Sequence, residues 1–157
     1  MSERAVATSI FLAPGEGKGT TPGGLRQIKI KIAGESTGGK YSMVEDTVPP
    51  HYATELHVHR NTDEAFYVVK GPLWFQLGAD KIEASTGTFL FIPRGIDHAF
   101  INPTAKPATY IVIISPPWFE KYFEERALVA NTNPTPETLI SISKRHDREV
   151  TEPPMVL

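Results

Sequence analysis

Hydrophobic and polar side chains alternate along residues 25–33, where Ile28 and Ile30 flank Lys29. Because successive side chains of a strand point to opposite faces of a sheet, this alternation predicts a strand with one buried and one solvated face. Similar short apolar segments predict further strands at residues 6–12, 41–48, 65–70, 87–92, 99–102 and 108–115. A stretch rich in glycine, residues 14–24, predicts a mobile loop. Many short strands without helices between them indicate a sandwich or a barrel.

The apolar spacing becomes helical after the last of these strands. Trp118, Phe119, Tyr122 and Phe123 fall on one face of a helix, and Ser115 followed by two prolines is typical of a helical first turn. We interpret this aromatic face as a contact with the core or with a second subunit rather than as the lining of a ligand pocket, because an exposed apolar patch of this size would favour association.

A second helix is predicted from residue 135 to about residue 146. Its apolar stripe consists of Leu139, Ile140 and Ile142. We expect both helices to pack outside the β-structure. The chain of 157 residues has the length of one domain, so we expect a single domain over residues 1–157, with a β-core at about residues 25–115 and a helical extension at about residues 116–147.

The composition excludes several classes of function. The net charge is −2 with the two signs dispersed, which does not supply the basic stripe needed for nucleic acid. No apolar stretch is long enough to cross a membrane. The absence of cysteine excludes disulfides and thiolate ligands, so any metal must accept nitrogen and oxygen donors. We expect a soluble, cytoplasmic protein.

Three histidines and one glutamate are spaced as metal ligands. His57 and His59 lie two residues apart, so on a strand they project from the same face, about 7 Å apart along the chain. The polar residues before Glu64 suit a hairpin that returns this carboxylate to the two imidazoles. His98 follows the turn residues 93–97 and is expected to come from a second hairpin. The pattern therefore predicts one metal site on a β-scaffold.

These residues resemble the two motifs of the cupin superfamily. One departure is His51, which stands where the first motif usually has glycine. The resemblance implies an all-β double-stranded β-helix, or jelly roll, with one or two C-terminal helices packed outside the barrel. It also implies a homodimer, because dimers are common among cupins. The matching segments are His57-x-His59-x4-Glu64-x6-Gly71 and Gly87-x5-Pro93-x-Gly95-x2-His98-x3-Asn102.

The four ligands leave one or two coordination positions open, which is typical of a catalytic rather than a structural metal. Nitrogen and oxygen donors suit a divalent transition metal. Fe(II) is our first expectation, and Mn, Ni, Co, Cu and Zn remain alternatives. Period-two spacing places Phe66 beside Glu64 and Phe100 beside His98, and we add Tyr41 and Met43 as residues expected to line the substrate pocket. We expect this pocket to be mainly apolar and to bind a flat, partly aromatic or oxygenated small molecule.

Within the superfamily the chain is similar to the quercetin dioxygenase-like group in its small single-domain form, in the strand of residues 64–71 and in the Pro-Pro-Trp-Phe helix that starts at residue 116. This resemblance implies a metal-dependent dioxygenase in which Glu64 is both a metal ligand and the catalytic base for a substrate hydroxyl, with dioxygen as co-substrate. Two alternatives stay open. One is a non-oxidative isomerase, lyase or decarboxylase, and the other is a binding or sensing module without catalysis.

Overall fold

Two antiparallel sheets form the body of the protein in the computed structural model, which describes residues 8–23 and 26–157. The strands of the described ranges are β1 (Lys18–Thr20), β2 (Gln27–Ile32), β3 (Ser42–Val48), β4 (Glu55–Val58), β5 (Asp63–Lys70), β6 (Leu73–Leu77), β7 (Asp80–Ala84), β8 (Phe89–Ile92), β9 (His98–Ile101), β10 (Ala108–Ser115) and β11 (Glu149–Pro154). One sheet has the order β1-β2-β3-β10-β5-β8, and the other has the order β11-β4-β9-β6-β7.

The core lies between the two sheets, because strands of both contribute buried side chains to one apolar cluster. The alternation in the sequence of β2 is confirmed, since Ile28 and Ile30 are buried and Gln27 is exposed. Val68 of β5 and Phe75 of β6 represent the two sheets in this cluster. The architecture is the expected jelly-roll barrel with C-terminal helices.

The connections that carry the metal-ligand motifs cross from one sheet to the other. β4 lies in the five-stranded sheet and β5 in the six-stranded sheet, and the same change of sheet separates β8 from β9. The two expected hairpins are therefore wrong. Their turns span the gap between the sheets, which places the ligands of one motif on both walls of the barrel.

Several strands differ from the pattern-based expectation. Residues 6 and 7 of the expected first strand lie outside the described residues, and residues 8–12 form no strand. Part of the glycine-rich stretch is β1, which pairs with β2, so this stretch is not merely a loop. The spacer between the motifs forms the hairpin β6-β7, and β11 extends the five-stranded sheet beside β4.

Two helices follow the barrel, α1 (Glu120–Val129) and α2 (Pro136–Arg145). The expected start of the first helix is wrong, because Ser115 is the last residue of β10 and donates its hydroxyl to the carbonyl of Lys40. The helix begins instead at buried Glu120, whose carboxylate accepts from the backbone N–H groups of Gly34 and Trp118 at 2.8 Å each. The second helix is confirmed.

The second helix has the expected cap and part of the expected stripe. Thr135 caps it by accepting from the N–H of Thr138. Ile142 is buried, whereas Ile140 is about half exposed. Among the described residues, neither helix is long and apolar enough to span a bilayer.

The outer face of the six-stranded sheet carries a contiguous group of exposed apolar side chains. Phe89 lies opposite Tyr67, and Phe91 lies opposite Ala65, whose other neighbour is Ile113. Phe89 is 64% exposed and Phe91 is 56% exposed. Flat apolar surface of this kind is typical of a protein interface. The homodimer remains a prediction, and this face is where we expect the second copy to pack.

Replacing both Phe89 and Phe91 with glutamate is expected to produce a monomer, because two charges would be buried at the interface without partners. Light scattering coupled to size-exclusion chromatography measures the change, from twice the 17.3 kDa chain mass to the single mass. Leu128→Glu, at an exposed position on α1, is the matched control and keeps the native mass. A native protein that elutes as a monomer contradicts the prediction.

Candidate metal centre

The four residues expected to bind a metal meet between the two sheets. His57 on β4 and His98 at the start of β9 are direct neighbours in the strand pairing. His59 follows β4 by one residue, and Glu64 projects from β5 of the opposite sheet. All four side chains are buried, and the ring centroids of the three histidines are 4.4 to 5.4 Å apart.

Each imidazole is oriented by a backbone carbonyl. The Nδ1 of His57 lies 2.7 Å from the carbonyl oxygen of Glu55, and the Nδ1 of His98 lies 2.9 Å from that of Ile96. The Nδ1 of His59 lies 2.6 Å from the carbonyl oxygen of Asp147. A carbonyl only accepts, so Nδ1 holds the proton in all three rings. The Nε2 lone pairs are thereby left free for a metal.

The geometry of the donor atoms fits a divalent ion. One ligand atom from each of the three histidines lies within 4.8 Å of the other two. Metal–nitrogen bonds of about 2.1 Å place neighbouring donor atoms about 3.0 to 3.4 Å apart. Small rotations of the side chains would bring the three nitrogens to that spacing. These residues could therefore hold one metal ion.

Glu64 completes this donor set with a carboxylate oxygen. Its Oε2 lies 2.9 Å from the Nε2 of His98 and 3.7 Å from the Nε2 of His59. These three atoms are buried and make no conventional hydrogen bond. Two acceptor atoms at 2.9 Å repel each other unless a proton or a cation lies between them, so this contact itself favours a positive ligand.

The pKa values of these groups follow from burial and from Glu64. Burial lowers the pKa of His57 well below its ordinary value, and it also lowers the pKa of His59. Burial acts in the same direction on His98, but the nearby carboxylate of Glu64 prevails and raises the pKa of that ring. Burial raises the pKa of Glu64, yet the two histidines beside it lower it more. The environment therefore favours the neutral form of His57 and His59 and the charged form of Glu64, which are the forms that bind a metal.

The turns that carry the ligands are locked to each other. The backbone N–H of Gly95, which has φ 85°, donates to the carbonyl of His59 at 2.8 Å. Asp63, beside Glu64, accepts from the backbone and guanidinium of Arg94, and these hydrogen bonds lower the pKa of Asp63 to about 2. The second motif therefore fixes the position of the first.

Asp147 is a positioning residue that the motifs do not contain. Its backbone carbonyl orients His59, and its carboxylate accepts from the backbone N–H groups of Arg60 and Asn61 and from the hydroxyl of Thr62. It adopts a left-handed conformation with φ 54°, which Asp and Asn tolerate better than most residues. The segment after α2 thus holds the loop that follows the first two ligands.

Replacing Asp147 with alanine is expected to lower the affinity for metal about 10- to 100-fold, because the loop after His59 loses its anchor. Calorimetric titration of metal into the stripped protein measures this change. Asp147→Asn keeps the acceptor oxygen and the tolerance for positive φ, so it retains most of the affinity. Glu149→Ala, which removes the exposed pair with Arg60, is the control. Equal affinities for the alanine variant and the native protein would refute the positioning role.

A cavity of about 250 Å³ opens beside the metal ligands. Phe66 and Phe100 line it, together with His57, Glu64 and His98. Phe119, Tyr122 and Phe123 also line it, so the aromatic face beginning the helical extension packs into the barrel mouth. The interpretation of that face as core contact is confirmed, but its exclusion from the ligand pocket is wrong. Trp118 alone of that face is substantially exposed.

Tyr41 and Met43 lie away from this cavity, which corrects the expectation that they line it. They border a separate apolar groove on the outer side of the sheet, with Ile111 and Ile113. The reason is the phase of β3, in which Ser42, Val44 and Asp46 point into the barrel while Met43 and Glu45 point outward. Interior Asp46 accepts hydrogen bonds from Arg26 and from Tyr110.

The cavity is also more polar than expected, because three arginines line it, Arg26, Arg126 and Arg148. They come from the residue before β2, from α1 and from the segment before β11. No local sequence motif connects these three positions. One feature of the sequence does indicate an arginine near the cavity, because Arg126 falls on the helix that carries the aromatic residues. The expectation of a mainly apolar pocket is therefore wrong.

Comparison with known proteins finds a known domain family in the middle of the chain. Residues 44–114 match the family model described as Cupin domain. An uncharacterised protein of Methanocaldococcus jannaschii is 30% identical over 81 residues, which are 52% of this chain and 65% of that protein. The matched part thus spans less than two thirds of the relative.

Solved structures share the fold at low identity. KdgF from Halomonas sp. has a TM-score of 0.63 at 20% identity, over 71% of this chain and 99% of that chain. The polyketide cyclase RemF from Streptomyces resistomycificus has a TM-score of 0.61 at 19% identity, over 69% and 80%. A predicted oxalate decarboxylase from Thermotoga maritima has a TM-score of 0.55 at 19% identity, over 57% and 79%.

Residues 44–114 are similar to the cupin domain family, and the two-sheet architecture agrees with that similarity. His51, which stands where the motif usually has glycine, adopts φ 58°, a left-handed conformation that favours glycine. The motifs, the fold and the family match are consistent with one another. The three clustered histidines could hold a metal ion.

Proposed function

We propose that this protein is a metal-dependent enzyme with His57, His59, His98 and Glu64 as the ligands of one divalent transition metal. The observation that carries this proposal is the convergence of three buried imidazoles and a buried carboxylate between the two sheets, beside a cavity. Fe(II) is the first candidate, and Mn, Ni, Co, Cu and Zn fit the same donors. When bound, such an ion lowers the pKa of a substrate hydroxyl and can serve dioxygen chemistry.

Oxygenase chemistry on a small phenolic or enolisable substrate is the reaction we propose first. Glu64 is buried and charged, so it can accept a hydroxyl proton at the carboxylate oxygen that does not bind the metal. The rings of Phe66 and Phe100 supply apolar walls that exclude water from the reacting group. At about 250 Å³ the cavity is smaller than sites for drug-sized ligands, which favours a single-ring substrate.

The experiment combines metal analysis with oxygen uptake. Protein purified without a histidine tag is analysed for metals and is then reloaded with each candidate ion. An oxygen electrode measures uptake with catechols, diketones, flavonols and hydroxy acids as substrates. We expect about one metal per chain and oxygen consumption with a single-ring substrate. Absence of bound metal under all loading conditions would overturn the proposal.

Non-oxidative catalysis is the second candidate, and the arginines of the cavity favour it. Guanidinium groups beside a metal suit a carboxylate-bearing substrate whose carbonyl is polarised for isomerisation, elimination or decarboxylation. Product formation from the same panel under argon would identify this class. Turnover that stops without oxygen would exclude it.

A further inference from the structure

Three guanidinium groups line the same cavity as the metal ligands, but only two of them have an acidic partner. Arg26 donates its Nε to Asp46 at 2.6 Å, and Arg148 donates to Glu55 at 2.8 Å. Arg126 makes no ion pair or hydrogen bond within the described part of the chain, and its side chain lies over the ring of Tyr122, 6.0 Å from the centroid. Among the described residues, Arg126 therefore has no carboxylate in direct contact, and it shares only the longer-range charge of Glu55, which binds Arg148.

The aromatic residues hold these arginines at the cavity wall. Arg148 also lies over Tyr122, at 5.6 Å, so the two guanidinium groups share one ring. Arg26 lies 5.4 Å from the ring of Phe100 and 5.3 Å from that of Phe123. Cation–π contacts fix the position of a guanidinium without neutralising its charge. The groups are thus oriented for an additional anionic partner.

The sum of the charges around the cavity indicates whether a ligand should be positive or negative. The three arginines contribute +3, and Asp46, Glu55 and Glu64 contribute −3, which leaves no net charge before a metal binds. A divalent cation among the histidines would raise the sum to +2. Burying such a charge away from water is costly unless an anion enters with it. The occupied site therefore requires a ligand with one or two negative charges.

We propose that the substrate is a small organic acid whose carboxylate binds Arg126 and whose hydroxyl or carbonyl oxygen faces the metal ligands. This inference rests on the proposed metal-dependent function and names its substrate class. Arginine suits a carboxylate because its planar donors match the two oxygens. A cavity of about 250 Å³ that is also lined by Phe66 and Phe100 favours a hydroxylated aromatic acid or a short oxo acid.

The test compares two probes that differ only in charge. 2-Hydroxybenzoate and 2-hydroxybenzyl alcohol share the ring and the phenol, but only the first carries a carboxylate. Calorimetry measures the dissociation constant of each for the full chain loaded with Zn(II). We expect the acid to bind at least about 10-fold more tightly than the alcohol. Equal binding of the two probes, or no binding of either at millimolar concentration, overturns the inference.

Variants separate binding to Arg126 from binding to the metal alone. Arg126→Gln is expected to abolish most of the preference for the acid, and Arg126→Lys is expected to restore part of it. Arg145→Gln, which removes an arginine paired with Glu125 outside the cavity, is the matched control and keeps the full preference. Thermal unfolding shows whether each variant is folded. A preference that survives in folded Arg126→Gln places the carboxylate on the metal and overturns the inference.

The metal content of the same samples distinguishes the two proposals. Protein that binds metal but shows no preference between the probes retains the proposed function and loses the substrate class. Protein that binds no metal but prefers the acid, with that preference lost in Arg126→Gln, retains the anion site and loses the metal-dependent function.

Discussion

Replacing His98 with alanine is expected to lower the affinity for a divalent metal by at least about 100-fold while the barrel stays folded. His98 supplies one of only three imidazole donors, and its Nε2 is also the atom closest to Glu64. Replacing a residue that only orients a ligand already lowers metal affinity about 10- to 100-fold. Replacing a ligand itself should lower that affinity further. Metal analysis and calorimetric titration measure the effect.

The fold should survive this change, because the core does not depend on the ion. The apolar cluster between the sheets extends from Ile28 to Ile142 and contains none of the four metal ligands. The variant loses the contact of His98 with the Ile96 carbonyl, for which we expect a cost of about 1 kcal/mol in the free energy of unfolding. Circular dichroism and thermal unfolding report on this point. Global unfolding of the variant would argue against a site that is purely functional.

His146→Ala is the matched control for this prediction. The Nε2 of His146 lies 2.6 Å from the carboxylate of Glu125, outside the metal centre. Replacement of this histidine should leave the metal content unchanged. Equal metal binding by the native protein and by His98→Ala would disprove the shared site.

The metal ligands could be predicted from the sequence because their arrangement depends on local geometry. His57 and His59 share a face by the period of a strand, and the turn residues around Glu64 and His98 mark where the chain must reverse. The four side chains converge even though the turns join different sheets. Whether two turns form hairpins or cross a barrel depends on distant strand pairing, which local pattern does not contain.

The lining of the cavity could not be predicted in the same way. On β3 the apolar residues Val44 and Val48 share the inward phase with Asp46, which Arg26 and Tyr110 bind there, so Met43 in the alternate phase points outward. Asp147 reaches the site only because β11 pairs with β4 at the edge of the sheet. Each of these residues acts through a partner that is distant in the chain. A rule about spacing therefore cannot find them.

Replacing Glu64 with glutamine separates metal binding from proton transfer. The amide keeps the shape of the side chain and one acceptor oxygen, so metal affinity should fall by no more than about 10-fold. Turnover of the substrate found in the panel should fall about 10²- to 10⁴-fold.

Because Glu64 raises the pKa of His98, NMR titration of the metal-free variant should show a lower pKa for that ring. Glu45→Gln, at a carboxylate on the outer face beside Lys31, is the control and changes neither quantity. Full turnover by Glu64→Gln would remove this carboxylate from the mechanism, and an unchanged pKa of His98 would show that the two side chains do not interact in solution.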